Sequence, residues 1–220
     1  MTPVLTSDQG VTLIGGGLVD ADALAAALAL APVVVAADSG ADAALAAGLM
    51  PRAVIGDFDS ISAAARAAIP PENLHHIAEQ DSTDFAKCLM RIAAPFVIAV
   101  GFDGHRVDHT LAAMTVLARH PKPPCVILTA ADAVALASPD LRLDLPAGTR
   151  VSLFPLAEVR GTSTGLRWPI DGLTLAPAGR IGTSNQASGP VRIRSTGPLL
   201  VILPAAHLPA LLPKAAQSPI

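Results

Sequence analysis

Two short acidic segments carry residue types suited to chemistry: Gly56-Asp57-Phe58-Asp59-Ser60 and Gln80-Asp81-Ser82-Thr83-Asp84-Phe85-Ala86-Lys87. The first follows the apolar run Ala53-Val54-Ile55, which places Asp57 and Asp59 where a strand ends. In extended chain, residues two apart point the same way, so both carboxylates can face one cation. Hard divalent ions such as magnesium take oxygen ligands, commonly one or two carboxylates completed by substrate phosphates and water. The second segment puts Asp84 in the first turn of a predicted helix, with Lys87 on the same face at i+3. Carboxylates for a metal, with a hydroxyl and an ammonium for phosphate, point to nucleotide chemistry.

The elements that must position these groups are legible upstream of residue 130. Strands are predicted over Val11–Ile14, Val33–Ala37, Ala53–Ile55, His75–Ile77, Phe96–Val100 and Val126–Thr129. Helices are predicted between them, over Asp20–Leu30, Ala41–Ala47, Ser62–Ala68, Thr83–Ala93 and Val107–Arg119. Continuously apolar strands joined by helices imply a parallel sheet covered on both faces. Ligands in such sheets bind at the carboxyl ends of the strands, near a topological switch point. Asp38, Asp57, Asp59, Asp84 and Asp108 all fall after predicted strands, hence on one rim. Like charges gathered there repel unless a cation or a metal–polyphosphate sits among them.

The pattern changes near Ser138. Short runs follow, punctuated by Pro and Gly: Leu141–Leu145, Arg150–Phe154, Leu173–Leu175, Val191–Ile193 and Leu199–Leu203. None carries a sustained helical period, so an α/β domain over 1–137 and an all-β domain over 138–220 are expected. The end of the chain, with Pro209, Pro213 and Pro219, reads as a loosely held tail.

Composition narrows the partners. The formal charge is −3, and the 15 basic residues are scattered, so no nucleic-acid partner is expected. The apolar run 23–37 is too short to span a bilayer and is divided by Pro32. No basic region precedes an apolar stretch at the N-terminus, so no signal peptide is expected. Cys88 and Cys125 stand outside any CxxC or Cys/His pattern and read as buried free thiols in a reducing cytoplasm.

Other positions admit two readings. Gly15-Gly16-Gly17 lets backbone amides approach a phosphate, or simply makes a tight turn; no P-loop Gly-Lys-Ser/Thr follows. Asp38 is a rim ligand or a helix cap. Arg106 suits phosphate oxygens bidentately, with Asp108 and His109 opening the next helix. The only tryptophan, Trp168, is by default buried, or else stacks on an aromatic or cationic ligand. Ser184-Asn185 reads as a turn.

In this order, the segments resemble the thiamine pyrophosphokinase family from Val11 to about Leu203. Asp38-Ser39-Gly40-Ala41-Asp42 resembles its Asp-Gly-Gly-Ala-Asn segment, and Gly56 to Ser60 its most characteristic motif. Gln80 to Lys87 and Arg106-x-Asp108-His109 match two further motifs. Gly165-Leu166-x-Trp168 and Ser184-Asn185 are similar to elements of the family's substrate domain. Departures are Ser39 and His105 in place of glycine and Asp42 in place of asparagine. The resemblance implies a Rossmann-like α/β nucleotide-binding domain followed by a smaller β-sandwich, paired as a cytoplasmic homodimer. It implies transfer of the diphosphate of Mg-ATP to the hydroxyethyl oxygen of thiamine, releasing AMP. Asp57, Asp59 and Asp84 then serve the magnesium and catalysis. Gly16, Asp38, Thr83, Lys87, Arg106, Asp108 and His109 form the nucleotide shell, and Gln80, Trp168, Ser184 and Asn185 face thiamine.

Two alternatives share parts of this pattern. Haloacid-dehalogenase-type phosphatases carry Asp-x-Asp after a strand, which would make Asp57 a nucleophile. A related diphosphokinase acting on a pterin would share the rim but not the Trp168 and Ser184-Asn185 elements.

Overall fold

Apolar runs of four or five residues, too short for helices, build the first half of the chain. A computed structural model describes residues 2–104 and 106–213. His105 and the tail beyond 213 lie outside the described residues. The chain divides into two compact units, Met1–Ala130 and Ala131–Ile220.

The first unit contains β1 (Leu5–Thr6), β2 (Val11–Ile14), α1 (Ala21–Leu30), β3 (Val33–Ala37), α2 (Gly40–Ala46), β4 (Ala53–Gly56) and α3 (Ala63–Ala68). It continues through β5 (Leu74–His76), α4 (Asp84–Leu89), β6 (Ile92–Ala93), β7 (Val97–Val100), α5 (Val107–Arg119) and β8 (Cys125–Leu128). The strands run parallel in the order β8-β7-β2-β3-β4-β5. Every residue of β2, β3, β4, β7 and β8 is buried, as a sheet covered on both faces requires. From β2 the chain steps outward through β3, β4 and β5, then returns to the other side of β2 with β7 and β8. That reversal between β2 and β7 is the switch point where a crevice opens at the strands' carboxyl ends.

Side-chain caps fix where the helices begin. Asp20 accepts from the Ala23 amide at 2.9 Å, Ser62 from Ala65 at 3.0 Å and Thr83 from Ala86 at 3.3 Å. Helix α4 stops at Leu89, short of the expected Ala93, because Ile92–Ala93 pairs with Leu5–Thr6. Cys88 and Cys125 are buried free thiols, and burial raises both pKa values. Among the described residues no helix is long and apolar enough to cross a membrane.

The second unit contains β9 (Asp132–Leu136), β10 (Asp140–Leu143), β11 (Arg150–Pro155), β12 (Val159–Leu166), β13 (Thr174–Leu175), β14 (Gly182–Thr196) and β15 (Leu199–Pro204). All the pairings among them that are described here run antiparallel. β9 pairs β15, which pairs β11, which pairs the first part of β14. The last part of β14 pairs β10 and β12, and β12 pairs β13. Pairing with β11 ends at Gln186 and pairing with β10 starts at Val191, so Gly189-Pro190 falls where one strand changes partners. There a proline removes no central ladder bond.

The two compact units part after Ala130, and β9 pairs with β15. Two expectations need correction. Ser184-Asn185 is not a turn but lies within β14. Around Pro209 the chain is no loose tail: Ala205–Leu211 forms a 3-10 helix with Leu208 buried.

Candidate active site

The strand carrying the first acidic motif ends at Gly56, and Phe58 adopts the left-handed region at φ 62°. Asp57 and Asp59 are therefore brought together by a strained turn, not by the extended chain expected from their spacing. Such a conformation costs on the order of 1–3 kcal/mol in a non-glycine residue and persists only where the surroundings enforce it. Here the Phe58 ring packs 5.5 Å from the His76 ring, lies 5.5 Å from the Arg66 guanidinium and rests against Ala36, Ala41, Val54 and Ile69.

Asp38, at the end of β3, is the more telling residue. It is 2% exposed, has φ 44°, and neither carboxylate oxygen has a hydrogen-bond partner. A Cβ on Gly56 would lie 2.9 Å from the Asp38 Cβ, so the glycine makes room for it. Ligand oxygens of Asp38, Asp57 and Asp59 all lie within 4.8 Å of one another. Burial pushes the Asp38 pKa up, and the Asp57 and Asp59 charges add to it. A buried, unpaired carboxylate beside two others is costly unless a cation or proton joins it.

Helix α4 brings the second motif to the same rim. Lys87 is 1% exposed, and its Nζ donates to Asp57 Oδ2 at 2.8 Å and to Asp84 Oδ1 at 3.1 Å. The Lys87 hydrogen bond holds the Asp57 pKa down to about 2. Burial works against the Lys87 charge, but the two carboxylates outweigh it and raise its pKa. For Asp84 burial wins over Lys87, and its pKa is raised. Lys87 thus holds two carboxylates together at the rim. Gln80, expected beside thiamine, donates to Asp57 Oδ2 at 3.1 Å.

A cavity of about 580 Å³ opens at the switch point. Of the expected nucleotide shell, Gly16, Asp38, Thr83, Arg106 and His109 line it, with Asp84 beside them. Asp108 is exposed and bonds Arg106 at 2.6 and 3.2 Å, which lowers its pKa. The glycine turn is needed first for packing. A Cβ on Gly16 would lie 2.1 Å from Ser39 Oγ, and one on Gly17 2.5 Å from the Asp103 carbonyl oxygen.

Sequence reasoning missed several contributors. Phe102, Asp103 and Ser60 line the cavity, and Phe102 stacks on Phe85 at 4.2 Å. Glu79 accepts from the Asp81 amide at 2.9 Å, the Ser82 amide at 3.1 Å and the Ser82 hydroxyl, tying the loop before Thr83. An acidic residue two and three places before a turn's free amides was the available signal. Asp42 accepts from the amide of Ser62 at 3.0 Å and from its hydroxyl. Its departure from asparagine braces the loop after Asp59.

The second unit holds a different cavity. Trp168 is 52% exposed, which overturns its expected burial. Its backbone amide donates to Asn185 Oδ1 at 3.1 Å, and Asn185 Nδ2 donates to its carbonyl at 2.7 Å. Trp168, Ile170, Leu173, Arg180 and Asn185 line a cavity of about 300 Å³. Ser184 has φ 60°, and its amide donates to Ser152 Oγ at 3.0 Å, where β14 slips register against β11.

Comparison with known proteins agrees with this division. Residues 24–128 match the thiamin pyrophosphokinase catalytic domain, and residues 140–200 match its vitamin B1 binding domain. No curated protein sequence matches the chain. Among solved structures, thiamin pyrophosphokinase from Candida albicans superposes at TM-score 0.75 and 16% identity, covering 92% of this chain and 94% of that one. The Geobacillus thermodenitrificans enzyme gives 0.73 at 22% identity, with coverage of 89% and 96%. The yeast enzyme gives 0.74 at 16%, with coverage of 92% and 88%. At these identities the likeness speaks for the fold, and the family rests on the two domain matches. Fold and catalytic domain define the class, an ATP-dependent transferase. The chain belongs to the thiamin pyrophosphokinase family, and its activity is diphosphate transfer from ATP to thiamine. Nothing in the comparisons points to a pterin enzyme or a haloacid-dehalogenase-type phosphatase.

Proposed function

We propose that the carboxylate rim of the first unit binds Mg-ATP and that the Trp168 cavity of the second binds thiamine. The observation that carries the metal assignment is Asp38, buried with both oxygens unpartnered beside Asp57 and Asp59. An all-oxygen, all-carboxylate donor set fits a hard divalent ion such as magnesium. Asp38, Asp57 and Asp59 would hold it, with Asp84 next to them. When bound, the ion offsets phosphate charge and polarises the transferring group.

The chain's own groups supply the rest. Lys87 keeps Asp57 ionised and aimed, and Gln80 supports the same oxygen. Arg106 and His109 face the cavity where polyphosphate would lie, with Gly16 and Thr83 at its wall. The attacking atom is the hydroxyethyl oxygen of thiamine. It bonds to the β-phosphorus while the bond to the bridging oxygen breaks and AMP departs. Asp84, its pKa raised by burial, suits the role of accepting the hydroxyl proton. Catalysis of this kind rests on positioning and charge stabilisation, with no protein nucleophile required.

Trp168 stacks on thiamine, and Asn185 and Ser184 shape that end of the site. The strand pairings support a Rossmann-like first unit and a β-sandwich second one. A homodimer belongs to the same reading, supported by Val107 and Leu111, which are 70% and 61% exposed on α5. Buried free thiols are in keeping with a cytoplasmic setting. Incubation with ATP, magnesium and thiamine should yield AMP and thiamine diphosphate. Equal ATP consumption without thiamine would overturn this reading.

A further inference from the structure

An exposed indole that must meet a flat ligand gains from being held still beforehand, because ordering it on binding costs side-chain entropy. Trp168 is half exposed, yet its surroundings restrain it from two directions. Asn185 fixes its backbone through both peptide groups. Arg167, its neighbour in sequence, lays its guanidinium 4.7 Å from the centroid of the Trp168 ring.

Arg167 does not hang freely over that ring. Its Nη1 donates to Gln186 Oε1 at 3.1 Å, and its amide donates to the Gln186 carbonyl at 2.8 Å. Gln186 belongs to β14, where it pairs with Arg150 of β11. Gly165, at φ 76°, marks the register slip in β12 that leads the chain into this arrangement. The line of support therefore runs from β14 through Gln186 to Arg167 and on to the indole. Trp168 lines the 300 Å³ cavity and Arg167 does not. Arg180 is the guanidinium in the cavity wall, while Arg167 stands over the ring without lining the cavity.

We propose that Arg167 and Gln186 are a positioning pair that sets the orientation of the Trp168 indole for thiamine. The inference rests on the assignment of the Trp168 cavity to thiamine. Neither residue touches the substrate; both act through the ring. A cation–π contact at an exposed site corresponds to about a two- to fivefold change in an equilibrium constant, so the effect is modest and confined to thiamine.

Trp168 is the only tryptophan and the chain has no tyrosine, so intrinsic fluorescence reports on this ring alone. In the full-length enzyme, Arg167→Met should raise the KM for thiamine roughly two- to fivefold, with kcat and the KM for ATP unchanged. Time-resolved anisotropy of the ligand-free variant should show a faster indole. Arg167→Lys should restore part of both, and Gln186→Met should weaken both in the same direction. Unchanged indole motion and unchanged thiamine KM in Arg167→Met would overturn the proposal. So would a lowered KM, which would mean that Arg167 competes for the ring. Trp168→Ala separates the underlying assignment. A thiamine KM unmoved by Trp168→Ala overturns the thiamine site at this ring, and the inference with it. A KM raised by Trp168→Ala but unmoved by Arg167→Met overturns the positioning role alone.

Discussion

The two units solve opposite problems. At the rim of the first, charge is put where water is scarce: Asp38 is 2% exposed and Lys87 1%. At the second, a large apolar ring is left 52% exposed. The first site carries strain in the backbone at Asp38 and Phe58, and its side chains are locked into one another. The second keeps its strain at Ser184, within a strand, and steadies its ring through neighbours. Handling a polyphosphate calls for fixed charges in a low dielectric, whereas gripping a planar heterocycle calls for an accessible face held in place.

The sharpest break in that contrast should come from Asp38→Asn. Turnover should fall roughly a hundredfold or more, a loss typical of removing one preorganised electrostatic group. Yet the ligand-free protein should melt higher. The Asp38 pKa is raised in the fold, so its stabilising proton is fully held below 3.8 and lost as pH rises through the folded value. At neutral pH the wild-type protein bears that penalty and the asparagine variant does not. A calorimetric melting temperature at or below wild type would contradict this.

Lys87→Met should come next, with destabilisation of about 3 kcal/mol by chemical denaturation. It leaves Asp57 and Asp84 facing each other without the cation. A variant as stable as wild type would mean that water already screens the pair.

Acid should expose the same bond more gently. The Asp57 pKa is depressed to about 2, so its contribution is complete above 3.8 and lost as pH falls between those values. Stability measured across that window should slope less steeply in Lys87→Met, because Lys87 is the main cause of the depression.

The smallest effect belongs to the second site. Trp168→Ala should change folding stability by no more than about 0.5 kcal/mol, as expected for an exposed residue. A larger loss would make the ring part of the core and erase the contrast between the two units.

The sequence made the first unit plain because buried parallel strands are continuous apolar runs and their ends carry the aspartates. It misjudged how the aspartates meet. The i, i+2 spacing of Asp57 and Asp59 suggested an extended chain, while the left-handed turn at Phe58 depends on packing against distant residues such as Ala36 and Ile69. Nothing local tells that Lys87 will pair with Asp57, thirty positions earlier. The second unit was harder. Val159–Leu166 has little apolar character and becomes a strand through its partners, chiefly β14 and at one end β13. The same holds for Ser184-Asn185, whose turn-like residues lie inside a ladder.

Strand β14 also bears on how such a chain can vary over generations. Its 15 residues serve β11 at one end and β10 and β12 at the other, with Asn185 and Gln186 on the way. Deleting one residue within it would turn every side chain beyond the gap to the opposite face. Gly172 sits in a turn where an added Cβ meets nothing within 4 Å. Length can therefore drift there, while β14, tied at Ala187 to the turn at Gly148 and Thr149, must inherit its register intact.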